Sequence, residues 1–325
     1  MPSPRPTVRI GSNEPVDFHM HTRSSDGGWQ TAQLIDYLAD HGYRVVAICD
    51  HDTMRSVPEA QARAAERGLV LIPGVEVTSW WDEKQWHLLV YGIEPQGESR
   101  FHALLAQQQA NLRATGENSI RLFEANGKLL PQLDEVVAGR PLMPTYVLQA
   151  AIRAGHATNL QTAHELLKSY GEQMKVDWPL AEVVETAHEA GGICVVGHPG
   201  RPDLGPVLDE GQLDRMLAAI PIDGLETHYR SYSDADTARY RAMAETRGLL
   251  ATSGSDSHAP GNPVYPRPHP ARWVVPFLAR FGVEVEPFEG APWQSGQLVV
   301  VNGISASHGT DAGRLERATV ASSST

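Results

Sequence analysis

Cysteine is scarce in this chain of 325 residues, and the two cysteines, Cys49 and Cys194, both lie inside apolar runs. That placement argues against a disulfide framework and predicts two buried core thiols rather than a pair of metal ligands. Long apolar runs are absent as well, and the first residues, Met1–Pro6, contain no apolar signal core. We therefore expect a cytoplasmic protein that does not insert into a membrane.

Positive charge is also in short supply, because 27 Lys and Arg residues face 39 Asp and Glu residues, for a net charge of −12. This balance argues against a broad basic face for duplex nucleic acid or anionic lipid. It does not exclude a small phosphorylated substrate, since bound divalent cations would reverse the charge locally. The hydrophobic fraction of 41% and the charged fraction of 20% are typical of a globular protein.

Seven apolar runs predict β-strands, and helical patterns separate most of them. The predicted strands are Val16–His19, Arg44–Cys49, Leu69–Val77, Trp86–Ile93, Ile193–Gly197, Asp223–Thr227 and Leu249–Ser253. The predicted helices between them are Thr31–Asp40, Ser56–Arg67, Leu180–Ala190, Gly211–Ala219 and Ser233–Arg247. This alternation indicates an α/β barrel or an open wound sheet. The short link Ser79–Gln85 predicts that the third and fourth strands form an antiparallel hairpin.

The alternation stops between the fourth and fifth strands, where only helices are predicted. These helices are Phe101–Thr115, Ser119–Asn126, Thr145–Ala154 and Leu160–Tyr170. We therefore predict a discontinuous barrel at residues 14–95 and 176–285, with a mainly helical insertion at 96–175 capping its mouth. Residues 286–325 form a C-terminal extension, whose tail after Ser305 is rich in Ser, Thr, Ala and Gly and is predicted to be disordered.

Histidine and carboxylate side chains recur on or just past the ends of these strands. They occur in the segments His19-Met20-His21, Asp50-His51-Asp52, Val75-Glu76, Trp86-His87, Gly197-His198 and Asp256-Ser257-His258. Any one could be an ordinary polar residue, and Asp52 or Thr53 could equally cap the next helix while His51 is a ligand. Together, at the strand ends where barrel enzymes place their sites, they indicate one polynuclear metal centre.

The order of these segments resembles a known family. The matching motifs are His19-x-His21, Ser25-Asp26-Gly27, Asp50-His51-Asp52-Thr53, Gly74-Val75-Glu76, His198-Pro199 and Gly254-Ser255-Asp256-x-His258. They resemble the polymerase and histidinol phosphatase (PHP) superfamily over about 16–261, and within it the nucleotide phosphatases that act on nucleoside bisphosphates and AMP-type substrates. The resemblance implies a distorted (β/α)7 barrel with two or three divalent ions. Histidine and carboxylate ligands suit Mn, Fe or Zn.

The resemblance also implies roles for individual residues, with Glu76 bridging the ions. The implied ligand sets are His19, His21, Glu76 and Asp256 for one ion, Asp26, His51 and His258 for another, and Glu76, His87 and His198 for a third. Arg201 matches an arginine that contacts phosphate in the family, although it could also be a surface arginine in a turn. Arg140 matches a substrate-facing position, and His228 and Tyr229 could supply an acid or a substrate contact.

The sequence departs from those phosphatases where the leaving group would lie. Leu142 stands where they carry a histidine after Gly-Arg-Pro, so hydrolysis of a phosphoester is a safer prediction than a named nucleotide. The leading hypothesis is a phosphatase of small phosphorylated molecules, and the first alternative is a 5′-to-3′ exonuclease acting on short oligonucleotides. A non-catalytic metal-bound module is the second alternative. No obligate protein partner is evident from the sequence.

Overall fold

A computed structural model of the chain describes residues 8–172, 178–202, 207–261, 263–296, 299–301 and 304–306. The strands are β1 (Val8–Ile10), β2 (Pro15–Asp17), β3 (Val45–Ile48), β4 (Val70–Trp81), β5 (Lys84–Tyr91), β6 (Ile193–Val196), β7 (Gly224–Tyr229), β8 (Leu250–Gly254), β9 (His269–Pro270), β10 (Val283–Val285), β11 (Val299–Val301) and β12 (Ile304–Ala306). The α-helices are α1 (Thr31–Asp40), α2 (Val57–Arg67), α3 (Arg100–Ala125), α4 (Leu133–Val137), α5 (Pro144–Arg153), α6 (Leu160–Ser169), α7 (Leu180–Glu189), α8 (Glu210–Ala219), α9 (Asp234–Thr246) and α10 (Val275–Ala279). Most of the tail predicted to be disordered, 307–325, lies outside the described residues.

Strands β2 to β8 curl into a nearly closed barrel. They neighbour one another in chain order, and the two-residue strand β9 extends the sheet beyond β2. The backbone of β8 and its following loop returns to β2, where Phe18 N–H donates to Ser253 O at 3.1 Å and His21 N–H donates to Ser257 O at 2.9 Å. The predicted distorted (β/α)7 barrel is therefore confirmed.

The barrel is distorted because β5 runs against its neighbours. It pairs antiparallel with both β4 and β6, whereas β2–β3–β4 and β6–β7–β8 are parallel. The predicted hairpin is thus confirmed, but its link is only Asp82–Glu83 and not Ser79–Gln85. Both turn residues have positive φ, 50° and 60°, as the tightest hairpin turns require. The two strands consequently extend past the rim of the barrel.

Side chains on the barrel strands alternate between two buried layers. In β3, Val45 and Ala47 face a cluster inside the barrel, while Val46 and Ile48 pack outside it against α1 and α2. Burial on both faces explains why these strands are apolar throughout. The interior is filled near its amino-terminal end by Phe277, whose ring meets Phe18 edge-on at 5.0 Å.

The insertion consists of α3 to α6, with the short helix α4 not predicted from the sequence. The two predicted helices Phe101–Thr115 and Ser119–Asn126 form one continuous helix, α3. Gly116 lies inside this helix. A side chain there would meet Leu142 Cγ at 3.1 Å, so glycine allows α3 to pack closely against Leu142. Helices α3, α5 and α6 share a hydrophobic cluster of their own. The domain limits at 95 and 176 stay predictions. Among the described residues, no helix is both long and apolar enough to cross a membrane.

Candidate metal centre

The predicted ligands meet at one mouth of the barrel, at the carboxyl ends of the parallel strands. His19 and His21 follow β2, His51 follows β3, and His198 follows β6. Asp256 follows β8, as does His258 two residues later. Side chains that follow neighbouring parallel strands converge near the barrel axis, which is why sites form at this face.

Glu76 and His87 reach the same place from inside strands β4 and β5. The expectation that all ligands lie at or past strand ends is therefore wrong for these two residues. Both strands extend past the rim, and β5 is antiparallel, so its first residues lie at the mouth. Glu76 lies on the same face of β4 as Ile72, and His87 lies on the same face of β5 as Leu89. Ile72 and Leu89 both face the barrel interior, so Glu76 and His87 do as well.

Three groups of potential ligand atoms form there, and the atoms within each group lie within 4.8 Å of one another. The groups are His21, Asp26, His51 and His258; His19, His21, Glu76 and Asp256; and His51, Glu76 and His87. The first two contain the ligand sets implied by the family resemblance. The third has His51 in place of His198, but His198 Nε2 lies 3.0 Å from Glu76 Oε1 and so borders the same carboxylate.

Glu76 lies at the centre of the cluster and is fully buried. Its Oε1 atom lies 2.7 Å from His87 Nδ1 and its Oε2 atom lies 3.1 Å from His19 Nε2. The imidazoles within 3.3 Å of its two oxygens are those of His19, His21, His51, His87 and His198. A carboxylate with imidazoles against both oxygens has the geometry of a ligand that bridges two ions.

Several buried atoms of the cluster have no hydrogen-bond partner. They are His19 Nε2, both ring nitrogens of His21, and Glu76 Oε2. An unsatisfied buried polar atom costs about 1–3 kcal/mol, and native proteins keep few of them. Divalent ions would satisfy these atoms together, so the residues fit more than one ion. Imidazole and carboxylate ligands alone do not determine which metal is bound.

The ionisation of the cluster is also suited to cations. Burial raises the pKa of Glu76, but the nearby imidazoles of His51 and His19 outweigh it and hold that pKa well below its usual range. Burial lowers the pKa of His21, yet the adjacent carboxylates of Asp256 and Glu76 raise it to about 10. Without ions the carboxylates are therefore charged and His21 carries a proton. Metal binding must displace that proton.

Glu226 supports two of the ligands and was missed in the sequence. Its Oε1 atom lies 3.0 Å from His19 Nδ1, and its Oε2 atom accepts the His198 N–H at 2.7 Å. Such a carboxylate fixes the ring orientation and leaves Nε2 of His19 to face the cluster. A side chain at Gly254 would collide with Glu226 Oε1, so glycine is required there. The available signal was a carboxylate inside the predicted strand Asp223–Thr227, comparable to Glu76 inside the predicted strand Leu69–Val77.

Asp50 and Asp52 hold the loops that carry ligands. Asp50 accepts hydrogen bonds from the Thr22 N–H and hydroxyl, both at 2.7 Å, and from the Ser25 hydroxyl at 2.7 Å. Asp52 accepts from the Thr78 N–H at 2.9 Å. The alternative that Asp52 or Thr53 caps the next helix is wrong, because α2 begins at Val57 and Ser56 is its N-cap residue. Asp52 therefore supports the site and not the helix.

The backbone is strained at three positions around the cluster. Asp52, His198 and Asp256 have φ values of 54°, 26° and 50°, in the left-handed region that side chains other than glycine rarely adopt. Each such residue costs of order 1–3 kcal/mol and persists only where the surroundings impose it. Two of the three are predicted ligands, which fits a site that is held in place by its hydrogen bonds.

Three donors contact Oδ2 of Asp256, which is the outer oxygen because it lies on the open side of the cluster. Tyr229 OH donates to Oδ2 at 2.8 Å, Arg201 Nη1 lies 3.1 Å from it, and Arg230 Nη1 lies 2.9 Å from it. Oδ1 faces the other way, 3.1 Å from His21 Nε2. Both guanidinium groups are about a quarter exposed, so they border the open side of the cluster. Arg230 was not predicted, since nothing in its local sequence distinguishes it from a surface arginine.

The two remaining predicted residues lie at different distances from the cluster. Arg140 Nη1 donates to Asp26 O at 3.0 Å, and its guanidinium lies over the Tyr146 ring, so it joins the insertion to a ligand loop. His228 is not brought to the cluster, because it stacks on Trp273 at 4.5 Å with its Nε2 2.8 Å from Arg241 Nη1. Strand β7 has a register shift between Glu226 and His228, so the alternation of faces along the strand does not carry His228 to the side of Glu226. The geometry therefore does not support the catalytic role predicted for His228.

The buried histidine and carboxylate cluster at the mouth of the distorted barrel could hold several divalent ions, as the site of a metal-dependent hydrolase does. Residues 17–220 match the PHP domain model, and the chain belongs to this family. Over 253 residues it is 31% identical to the 3′,5′-nucleoside bisphosphate phosphatase of Chromobacterium violaceum, covering 76% of this chain and 88% of that protein. Over 251 residues it is 26% identical to a 5′-3′ exoribonuclease of Haemophilus influenzae, covering 75% and 90%.

A solved structure supports the same assignment. A Bifidobacterium adolescentis protein assigned as a metal-dependent phosphoesterase superposes with a TM-score of 0.64 at 28% identity, covering 79% of this chain and 92% of that one. The chain is thus a metal-dependent phosphoesterase, a hydrolase that acts on phosphoesters.

Proposed function

We propose that the protein is a phosphatase that removes a phosphoryl group from nucleotides, with nucleoside 3′,5′-bisphosphates and AMP-like monoesters as the substrate class. The observation that carries this proposal is the position of Asp256 between the cluster and two arginines. Its inner oxygen faces His21 and its outer oxygen meets Arg201 and Arg230. A phosphoryl group at the open side would therefore contact the ions and the guanidinium groups together.

The ligand residues would hold two or three divalent ions, which supply an activated water and neutralise charge on the phosphoryl oxygens. The chain itself supplies the positioning. Arg201 and Arg230 bring two guanidinium groups to one carboxylate at the mouth. Planar guanidinium groups match pairs of phosphoryl oxygens, and such charge-assisted contacts strengthen as charge develops. Tyr229 donates to Oδ2 of Asp256 and so keeps Oδ1 directed at His21, where it would be available to an ion.

The leaving-group side of the site differs from the nucleotide phosphatases that the sequence resembles. Leu142 is part of the hydrophobic packing between the insertion helices, beside Gly116, and offers no polar atom to a substrate. Arg140 has its donors on the carbonyl oxygens of Asp26, Val136 and Val137. The proposal therefore names a class of nucleotides, with the base and sugar contacts left to experiment.

Exonuclease activity on short oligonucleotides is the second candidate. It is favoured by the 26% identity to an exoribonuclease and by Arg201 and Arg230, which bring two guanidinium groups to the mouth of an acidic protein. A single-stranded substrate requires only local positive charge along its backbone. The same ions would serve a phosphodiester, so the two candidates differ in the bond that is cleaved.

The test is a screen of metal-free protein reconstituted separately with Mn, Fe or Zn. Nucleoside 3′,5′-bisphosphates, nucleoside monophosphates and short oligonucleotides are offered in parallel, and released inorganic phosphate and mononucleotides are measured. We expect phosphate release from the bisphosphates, its loss on chelation, and its recovery on refilling. Glu76→Gln protein prepared in the same way controls for contaminating phosphatases. Mononucleotide release without phosphate release would overturn the proposal in favour of the exonuclease.

A further inference from the structure

A second cluster of potential ligands lies at the opposite, amino-terminal end of the barrel. His188 is in the last turn of α7, Cys194 is on β6, and Asp223 directly precedes β7. One ligand atom from each lies within 4.8 Å of the others. None of the three residues takes part in the metal centre already described, which follows the other ends of the same strands.

A solvent-filled cleft of about 400 Å³ adjoins this cluster. It is lined by His188 and Asp223 and by the backbone of Gly191 and Gly192, with Arg280 on its rim. The side chains of His188 and Asp223 are 31% and 27% exposed, so solvent and ions reach them. Cys194 lies behind them with no exposed surface, on the outward face of β6.

The geometry of the cluster matches that of the metal centre. His188 Nε2 lies 2.8 Å from Asp223 Oδ2, within the 2.7–3.2 Å range that separates Glu76 from most of its imidazoles. The Cys194 N–H donates to Asp223 Oδ2 at 2.7 Å and so orients the carboxylate. The Cys194 thiol has no hydrogen-bond partner within the part of the chain that the structure describes. A fully buried, unpartnered sulfur beside an oriented carboxylate is suited to an ion.

Other roles of the thiol fit less well. Burial raises the pKa of Cys194 well above its usual range, and Asp223 raises it further, so without an ion the group is a protonated thiol, and an ion bound there would displace the proton to solvent. Cys49, the other cysteine, is also free and belongs to the core cluster inside the barrel, whereas Cys194 belongs to the outer cluster. The alternative is a purely structural His188–Asp223 ion pair, with Cys194 packed beside it as an apolar core residue.

We propose that His188, Cys194 and Asp223 bind one divalent ion of the zinc class, with a solvent ligand from the cleft in the fourth position. A mixed set of nitrogen, sulfur and oxygen ligands with one open position is typical of zinc. Thiolate selects zinc over manganese or magnesium, whereas the metal centre at the other end offers only nitrogen and oxygen. The ion joins α7 to β6 and β7, and it binds independently of the proposed phosphatase activity.

Cobalt(II) is the probe that separates the two sites, because only this one contains sulfur. Metal-free full-length protein is titrated with Co²⁺, and a thiolate-to-cobalt charge-transfer band is recorded in the near ultraviolet. We expect the band to saturate at one ion per chain and to be bleached by Zn²⁺. It should be lost in Cys194→Ala and weakened in His188→Gln. It should be retained in Cys49→Ala, the matched cysteine control, and in Glu76→Gln, which alters only the other site.

Absence of the band in the wild-type protein, or its persistence in Cys194→Ala, would overturn the proposal and leave a His188–Asp223 ion pair of structural importance only. If Cys194→Ala does not fold, the partly exposed His188→Gln variant decides, since an unchanged band and affinity there would equally refute the site. Neither outcome bears on the phosphatase proposal, which is measured by phosphate release.

Discussion

The two ends of the barrel carry similar residue types but use them differently. At the carboxyl-terminal mouth, His19, His21 and Glu76 are fully buried and keep polar atoms that no hydrogen bond satisfies. At the amino-terminal end, His188 and Asp223 are partly exposed and paired with each other at 2.8 Å. Burial without a partner is costly, while a partly exposed pair is nearly neutral in energy.

This difference indicates that the cluster at the mouth is costly to leave without ions, whereas the amino-terminal cluster is stable without one. The mouth is supported by Asp50, Asp52 and Glu226, each fixed by hydrogen bonds to ligand-bearing segments. The amino-terminal cluster has one such contact, from the Cys194 N–H to Asp223. A site that is preorganised at this cost in strain and buried charge is expected to bind its ions more tightly than the open one.

The largest effect is expected from Glu76→Gln, because this carboxylate touches all the imidazoles of two ligand groups. Its loss removes the bridging charge, so hydrolysis should fall to background and at least one ion per chain should be lost. Elemental analysis and phosphate release measure both. The matched variant at the other end, Asp223→Asn, should hydrolyse normally. Equal losses in the two variants would show that the comparison between the ends is wrong.

Arg201→Ala should lower kcat by about 10²–10³ with unchanged metal content, as loss of one preorganised donor to a transition state does. Arg230→Ala, measured beside it, tests whether the second guanidinium contributes. Lysine at either position should restore only part of the rate, because it lacks the planar fork. A rise in KM alone would assign these arginines to ground-state binding. Wild-type kinetics in both variants would refute the proposed phosphoryl contact.

Glu226→Gln should weaken metal binding or activity by about 10–100-fold, the usual cost of losing a carboxylate that orients a histidine ligand. The amide keeps the shape and can still accept the His198 N–H, so the fold should persist. Titration against a competing chelator measures the affinity. An unchanged affinity would mean that His19 is oriented by packing alone and that Glu226 has no positioning role.

The smallest effect on turnover is expected from His228→Gln, because that ring packs on Trp273 outside the cluster. The free energy of unfolding should instead fall by about 1–3 kcal/mol, since the ring that stacks on Trp273 is lost and the buried Arg241 hydrogen bond must be remade to an amide. Urea denaturation measures the stability, and phosphate release measures the rate. A large loss of turnover in folded protein would restore the catalytic role that the sequence suggested.

Much of this architecture could be predicted from the chain because its signals are local. Each of the seven predicted barrel strands and five predicted barrel helices is present, with ends shifted by a few residues. The tight turn at Asp82–Glu83 was not predicted, since it requires knowing that β4 and β5 extend past the rim. The continuity of α3 across Gly116 was not predicted, since its packing partner, Leu142, lies in another segment.

The ligand types and their order were determined by the sequence alone, since histidine and carboxylate at strand ends are visible without a fold. Tertiary structure decided which of them share an ion, and which residues support them. His19 and Glu226 are 207 residues apart in sequence and 3.0 Å apart in the barrel. Arg201 and Arg230 meet at Asp256 only when β6, β7 and β8 lie side by side. Such contacts depend on how the barrel closes, and no local pattern encodes the distance between two strand ends.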